Sequence, residues 1–378
     1  MSARAYLRYP TIRGDRLAFV ADDDLWIGSV DSGAAWRLGA ECATVRTPRL
    51  SPSGRRVAWC SDAAGHPEVW VAELDGGEPR RLTWWGEATT YVLGWRGEDT
   101  VLVTSATGEP FAWRSWAWAV PFAGGQPERL PFGPVSALSH SPEGGVLVGT
   151  DQTLRGASSW KRYRGGTAAK VWIDAAGTGR FRRFAAELNG QIEDPQWWDG
   201  RVVFLSDHEG WGNVYSLAPD GSDLRRHSDH GDAYARDACG DGERLVYGCF
   251  GDLWILEGLA ADSAPRRLEL SLASGRRGRV PYPLEVPKAV TRLAPDRTGR
   301  ASALDVRGAA VWCTHRDGPA RVLAPGGRVR ARFATPLGED EVVWVTDEEG
   351  EDALEVALVA GGQGRRLAAG DLGQVVEL

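Results

Sequence analysis

A unit of roughly 40 residues recurs along this chain, and that is the length of a four-stranded propeller blade. Residues 47–83 show it most plainly, "TPRLSPSGRRVAWCSDAAGHPEVWVAELDGGEPRRLT". Ser51-Pro52-Ser53-Gly54 makes a tight turn, because proline presets φ at the second position and glycine tolerates the left-handed region at the end. Val57-Ala58-Trp59-Cys60 reads as a strand, and Val69-Trp70-Val71-Ala72 as the next one. Asp75-Gly76-Gly77 turns the chain back, and Arg80-Arg81-Leu82-Thr83 closes the unit.

The same order of turn, strand, loop, aromatic-bearing strand and glycine turn starts at "GDRLAFVADDDLWIGSVDSGAAWRL" and has appeared six times by about residue 270. Strands such as Val202-Val203-Phe204-Leu205 are apolar on both faces, which suits sheets packed on either side. Trp26, Trp70, Trp118, Trp172, Tyr215 and Trp254 occupy equivalent third-strand positions and are expected to fill the wedges between blades. No stretch keeps a helical period. The expected fold is all-β, with a six-bladed β-propeller of four-stranded blades over residues 1–270. Its first blade begins near Tyr6–Pro10, so the ring should close without an exchanged strand. Residues 271–287, "SLASGRRGRVPYPLEVP", read as a linker. Residues 288–378 hold two weaker units, and the final "GDLGQVVEL" matches the start of another. They are expected to be the first two blades of a second, incomplete propeller, truncated, in the front part of a longer chain.

A net charge of −7 argues against nucleic acid as a partner. No apolar run of membrane-spanning length and no signal core occurs, so the expectation is a cytoplasmic chain with no membrane association. The five cysteines, Cys42, Cys60, Cys239, Cys249 and Cys313, are far apart without a CxxC pair, and neither a disulfide nor a zinc site is expected.

Motifs for catalysis are missing: there is no nucleophile elbow, no HExxH and no phosphate-binding glycine loop. No catalytic residue, metal or cofactor is therefore expected. "RRHSDHGDAY" gathers His227, Asp229, His230 and Asp232, but no further ligand lies nearby, and a polar inter-blade loop is the simplest reading. Asp22-Asp23-Asp24 reads as a solvated turn rather than a calcium loop. One segment breaks the blade pattern, "DQTLRGASSWKRYRGGTAAKVW" at 151–172. Its Lys161, Arg162 and Arg164, beside Gly165-Gly166, either reach a channel or partner and bind a carboxylate, or the excursion covers a sheet edge by packing Trp160 and Tyr163.

Three stretches together resemble the tricorn protease family: "YPTIRGDRLAFVADDDLW", "WKRYRGGTAAKVWID" and "FLSDHEGWGNVYSLAPDGSDLRRHSDHGDAYAR". The resemblance implies a six-bladed propeller followed by a seven-bladed one, ahead of a catalytic part whose residues all lie beyond position 378. It also implies a cytoplasmic, hexameric serine peptidase acting on oligopeptides, with this chain as a non-catalytic channel, gating and assembly portion that meets peptide substrates or products. In the archaeal type member an arginine pair anchors the substrate C-terminus near the loop that here reads Trp84-Trp85 and Glu87, so that role does not carry over. The alternative is a free-standing TolB-like or WD40-like propeller acting as a protein–protein scaffold.

Overall fold

The computed structural model describes residues 5–39, 43–150, 161–260, 262–272, 283–327, 329–370 and 372–378. It divides into two units, Met1–Arg279 and Val280–Leu378. In the first unit, six sheets of four consecutive strands follow one another over residues 7–37, 45–81, 91–129, 137–184, 192–226 and 236–267. Each sheet is an antiparallel meander. Each innermost strand touches the next, and the sixth touches the first, so the sheets close a ring. This is a β-propeller.

Packing accounts for the unbroken apolar runs. Within Arg16–Ala21, Leu17, Phe19 and Ala21 pack against Val246, Leu253 and Ile255 of the sixth sheet. Ala18 and Val20 face the other way, onto Val45, Val57 and Trp59 of the second. Successive side chains thus enter two different interfaces, and both must be dry. Among the third-strand aromatics Trp26 and Tyr215 are fully buried, and Trp70, Trp118 and Trp254 are half-buried. Trp172 departs from the expectation at 38% exposure. The interface it faces is filled by Leu130, Val135, Leu138 and Phe132 instead.

The strand Leu7–Arg13 lies innermost in the first sheet, and every sheet keeps its own four strands. The seam between the sixth and first sheets is sealed by the Leu7 N–H donating to the Gly251 carbonyl at 2.8 Å and Arg13 Nη1 donating to the Gly240 carbonyl at 2.6 Å. Ser271–Leu272 then adds a short parallel strand to the outer edge of the first sheet, beside Ala34 and Ala35. The stretch expected to be linker therefore begins inside the first unit, and residues 273–282 of it lie outside the described residues.

The second unit has a one-turn helix, Val286–Ala289, and two four-stranded sheets over residues 290–324 and 331–368. They pack through Ala303, Ala310 and Trp312 against Ala334, Val342 and Trp344. Among the described residues no helix is long and apolar enough to cross a membrane.

Candidate functional site

Four of the six innermost strands of the first unit share a local irregularity that shapes the axis. Register slips by a bulge between Arg8 and Thr11, Arg46 and Arg49, Glu193 and Gln196, and Arg236 and Cys239. One residue in each bulge is left-handed: Tyr9 (φ 51°), Thr47 (43°), Asp194 (47°) and Asp237 (56°). A bulge frees a main-chain N–H from the ladder, and that group needs a partner. In three strands the next residue is proline, Pro10, Pro48 or Pro195, which has no N–H to satisfy. In the sixth strand the next residue is Ala238, and its N–H donates to Asp194 Oδ2 of the fifth sheet at 2.8 Å. Thr47 Oγ1 likewise accepts the Val92 N–H at 3.2 Å, and the Asp237 carboxylate accepts a main-chain hydrogen bond from Tyr9. The axial side chains therefore staple the second sheet to the third, the fifth to the sixth and the sixth to the first.

Two cavities lie along this axis. One, of about 530 Å³, sits at the N-terminal ends of the inner strands, around Tyr6, Arg8, Tyr91 and Asp237. The other, of about 630 Å³, sits at their C-terminal ends, around Arg13, Trp95, Arg96 and Trp197. Arg49, Leu93, Ser136, Ala137, Asp194 and Pro195 line both, so the two cavities adjoin along the axis and these residues form the waist between them.

The waist is charged. Arg49 donates through Nε to the Leu93 carbonyl at 3.3 Å and through Nη1 to the Pro48 carbonyl at 2.9 Å. Its charge faces Asp194 and Asp237. Burial pushes both carboxyls up, and for Asp237 the neighbouring Asp194 adds to it, to about 7, against the pull of Arg49 and Arg236. Asp237 thus changes charge near neutral pH.

The residues singled out from sequence lie elsewhere. Lys161, Arg162 and Arg164 belong to the connection between the second and third strands of the fourth sheet, and none of them lines either cavity. The fully buried Asp207 of the fifth sheet gathers this segment. It accepts the Arg162 N–H at 2.9 Å, Arg164 Nη1 at 3.0 Å and the Gln191 N–H at 3.0 Å. Arg162 also stands over Trp211, 5.6 Å from the ring centroid, and Lys161 stands 5.6 Å from that of Tyr234. Gly165 is a close approach rather than a hinge, because a Cβ there would lie 2.1 Å from the Tyr163 hydroxyl oxygen. Trp160 lies outside the described residues.

The histidine cluster is likewise committed. His227 Nε2 is 2.8 Å from Ser216 Oγ, and burial holds this ring well below the usual histidine range, at about 4. His230 Nε2 is 3.0 Å from the Tyr247 hydroxyl, and Asp229 pairs with Arg226. Asp24 is buried and paired with Arg37 at 3.3 Å, so the acidic run is only partly a solvated turn. Among the described residues no group of three or more His, Cys, Asp or Glu can hold a metal, and the four described cysteines are free.

Loop 83–90 is held from below by Glu68, buried to 1% exposure. Its carboxylate accepts Thr83 Oγ1 at 2.5 Å, the Trp85 N–H at 3.1 Å and the Gly86 N–H at 2.9 Å. Trp84 is left 70% exposed with the Arg81 guanidinium 5.1 Å from its ring centroid.

Residues 4–262 match the Tricorn protease N-terminal beta propeller domain. The chain belongs to the tricorn protease family. Over its whole length it is 47% identical to tricorn protease homolog 1 of Streptomyces coelicolor, of which it covers 36%. It is 33% identical, over 92% of its length, to the tricorn protease homolog of Saccharolobus solfataricus, covering 32% of that protein. The chain thus spans about a third of the length of these curated relatives. Among solved structures, the crystal structure of the tricorn protease superposes with a TM-score of 0.69 at 23% identity, over 98% of this chain and 36% of that one. That likeness shows the fold. The chain is the counterpart of the family's N-terminal propeller portion, and the waist residues Arg49 and Asp194, with Asp237 beside them in the narrower cavity, were not singled out from sequence. The recurring Tyr9-Pro10, Thr47-Pro48 and Asp194-Pro195 pairs mark the inner strands and were the signal available.

Proposed function

We propose that this chain is the non-catalytic propeller portion of a cytoplasmic, homo-oligomeric tricorn-like serine peptidase, with an axial channel that admits oligopeptides or their products. The observation that carries the reading is the match of residues 4–262 to a tricorn N-terminal propeller, and the two adjoining axial cavities inside it support the transport role. In the channel, Arg49 offers a fixed cation beside Asp194 and Asp237, whose negative charge burial disfavours, so passage is sorted by charge rather than by size alone. Of the three basic residues singled out from sequence, Lys161 keeps its ammonium clear of any carboxylate among the described residues. It is the one proposed to meet a peptide, on the surface beside Tyr234 rather than in the axial cavities.

The test is a chimera. This chain replaces the matching N-terminal third of the Streptomyces coelicolor homolog, and cleavage of short fluorogenic peptides is compared with the parent and with the propeller-deleted protein. The chimera should cleave and assemble as the parent does, and this chain alone should not cleave. A correctly assembled chimera no more active than the deletion overturns the reading, as does serine-inhibitor-sensitive cleavage by the chain alone.

A further inference from the structure

In every sheet an arginine of the fourth strand lies opposite one fixed position of the third. In the first seven sheets that position holds a tryptophan or a tyrosine, as in Trp26–Arg37 and Trp70–Arg81; in the eighth it holds Glu355, opposite Arg366. The ring packs among residues that include a leucine just after the arginine of the preceding sheet: Trp26 with Leu268, Trp70 with Leu38, Trp118 with Leu82. In the second unit Leu323, from the preceding sheet, instead lines a cavity of about 330 Å³ with Trp344, Thr346, Glu348 and Glu355. Glu355 is held to one side, its Oε2 accepting Trp344 Nε1 at 3.1 Å. Thr346 is buried to 1% exposure, and its Oγ1 has no hydrogen-bond partner among the described residues. A buried hydroxyl of this kind calls for a partner. The lining is also acidic. Arg366 Nη2 lies 3.1 Å from Glu348, 3.8 Å from Glu349 and 3.7 Å from Glu355, and among the described residues these acids have no other ion pair. One guanidinium therefore serves three carboxylates, and it does not itself line the cavity.

We propose that this cavity binds a small aromatic amine, its ring taking the place that the third-strand aromatic fills elsewhere and its ammonium donating to Glu355 and Thr346 Oγ1. The site is built by the second unit alone and does not rest on the transport reading. The volume is at the small end of ligand pockets and suits one ring system with a short chain, not a folded partner. Leu323 and Trp344 give the ring apolar and aromatic neighbours. An ammonium carries three donors and no acceptor, which matches a carboxylate and an unpartnered hydroxyl. Hydrogen bonds to an ionised acceptor are the stronger kind, and partial enclosure strengthens them further. An anion of the same shape would meet Glu348 and Glu355 as like charges and be turned away. The cavity thus selects by ring and by sign of charge together.

Calorimetric titration of the full chain tests this with three probes: tryptamine, indole-3-propionate and methylammonium. Tryptamine should bind, and the ring without the cation or the cation without the ring should bind about tenfold more weakly or worse, the loss expected for one such contact. Glu355→Gln keeps the size of the side chain and should weaken tryptamine about tenfold. Glu355→Trp recreates the cross-strand pairing of Trp59 with Trp70, so it should fill the cavity, abolish binding and leave the thermal unfolding midpoint equal or higher. Indole-3-propionate or methylammonium binding as tightly as tryptamine overturns the proposal, as does no tryptamine binding at millimolar concentration. Tryptamine binding that survives Glu355→Trp places the amine elsewhere, and a lowered midpoint in that variant shows that the space does not fit a ring; either result also overturns it.

Discussion

Asp207 is the point at which the basic excursion of the fourth sheet is either a structural clasp or a free contact surface, and its replacement separates the two. Asp207→Ala removes the acceptor of three donors and leaves the Gln191 and Arg162 N–H groups and the Arg164 guanidinium without it. Breaking a buried ion pair from one side costs about 3–5 kcal/mol, because the remaining partner stays desolvated. Arg164→Ala leaves the buried carboxylate with its two main-chain donors but without its cation, and also loses the 2.8 Å bond from Nη2 to the Asp207 carbonyl, so it should cost about 2–3 kcal/mol. Arg162→Ala keeps its N–H and loses the 3.1 Å bond to the Gly210 carbonyl and the contact with Trp211, which is about 0.5–1 kcal/mol. The expected order is therefore Asp207, then Arg164, then Arg162, with Lys161→Ala close to neutral. Urea unfolding followed by tryptophan fluorescence measures the costs. Hydrogen exchange over residues 161–170 and 188–207 shows whether the opening is local. If Asp207→Ala costs no more than Arg164→Ala, the carboxylate is not the organising group and the clasp is wrong. If Arg164→Ala leaves stability untouched while abolishing peptide binding, the excursion is a contact surface after all.

Two other expectations rest on different observations. In the unfolded chain Asp237 loses its proton near pH 4, but in the folded chain it keeps it to about 7, so the folded state binds more protons between those values. The stability this group contributes is full below about pH 4 and is lost as pH rises to about 7; Asp237→Asn should flatten that slope in unfolding midpoints, and an unchanged slope would show that the carboxyl is not protonated in the ring. In the second unit each sheet has a single partner sheet, and Leu293, Val322, Leu358 and Val376 stay 50–77% exposed. Its strand amides should exchange with solvent sooner than those of the six closed sheets, and equal protection in a dilute monomer would contradict this.

The propeller was legible because its rules are local. A turn such as Ser51–Gly54 needs four residues, and the observed Gly54 φ of 69° and the bond from its N–H to the Ser51 carbonyl at 2.8 Å are what that turn requires. The strand at Tyr6–Pro10 could be assigned to the first sheet for the same reason, since its partner Arg16–Ala21 follows at once. The two residues that dock after the sixth sheet were not legible, because Ser271 and Leu272 meet Ala34 and Ala35 only after the ring has brought the ends of the unit together. The channel charges were hidden for the same reason. Arg49, Asp194 and Asp237 come from the second, fifth and sixth sheets, and within each local stretch an acid or a base beside a strand reads as ordinary surface. The clue lay in comparing repeats rather than in reading one of them. Where the bulge is followed by Pro10, Pro48 or Pro195, the freed N–H has been deleted; where it is followed by Ala238, an acid must arrive from the preceding sheet to accept it. The second unit repeats this, since Phe333 is left-handed at 60° with no proline after it, and Asp305 accepts the Phe333 and Ala334 N–H groups at 2.6 and 2.8 Å. A missing proline at that position therefore goes with a buried carboxylate one repeat earlier, supplied by the innermost strand in Asp194 and by the second strand of its sheet in Asp305.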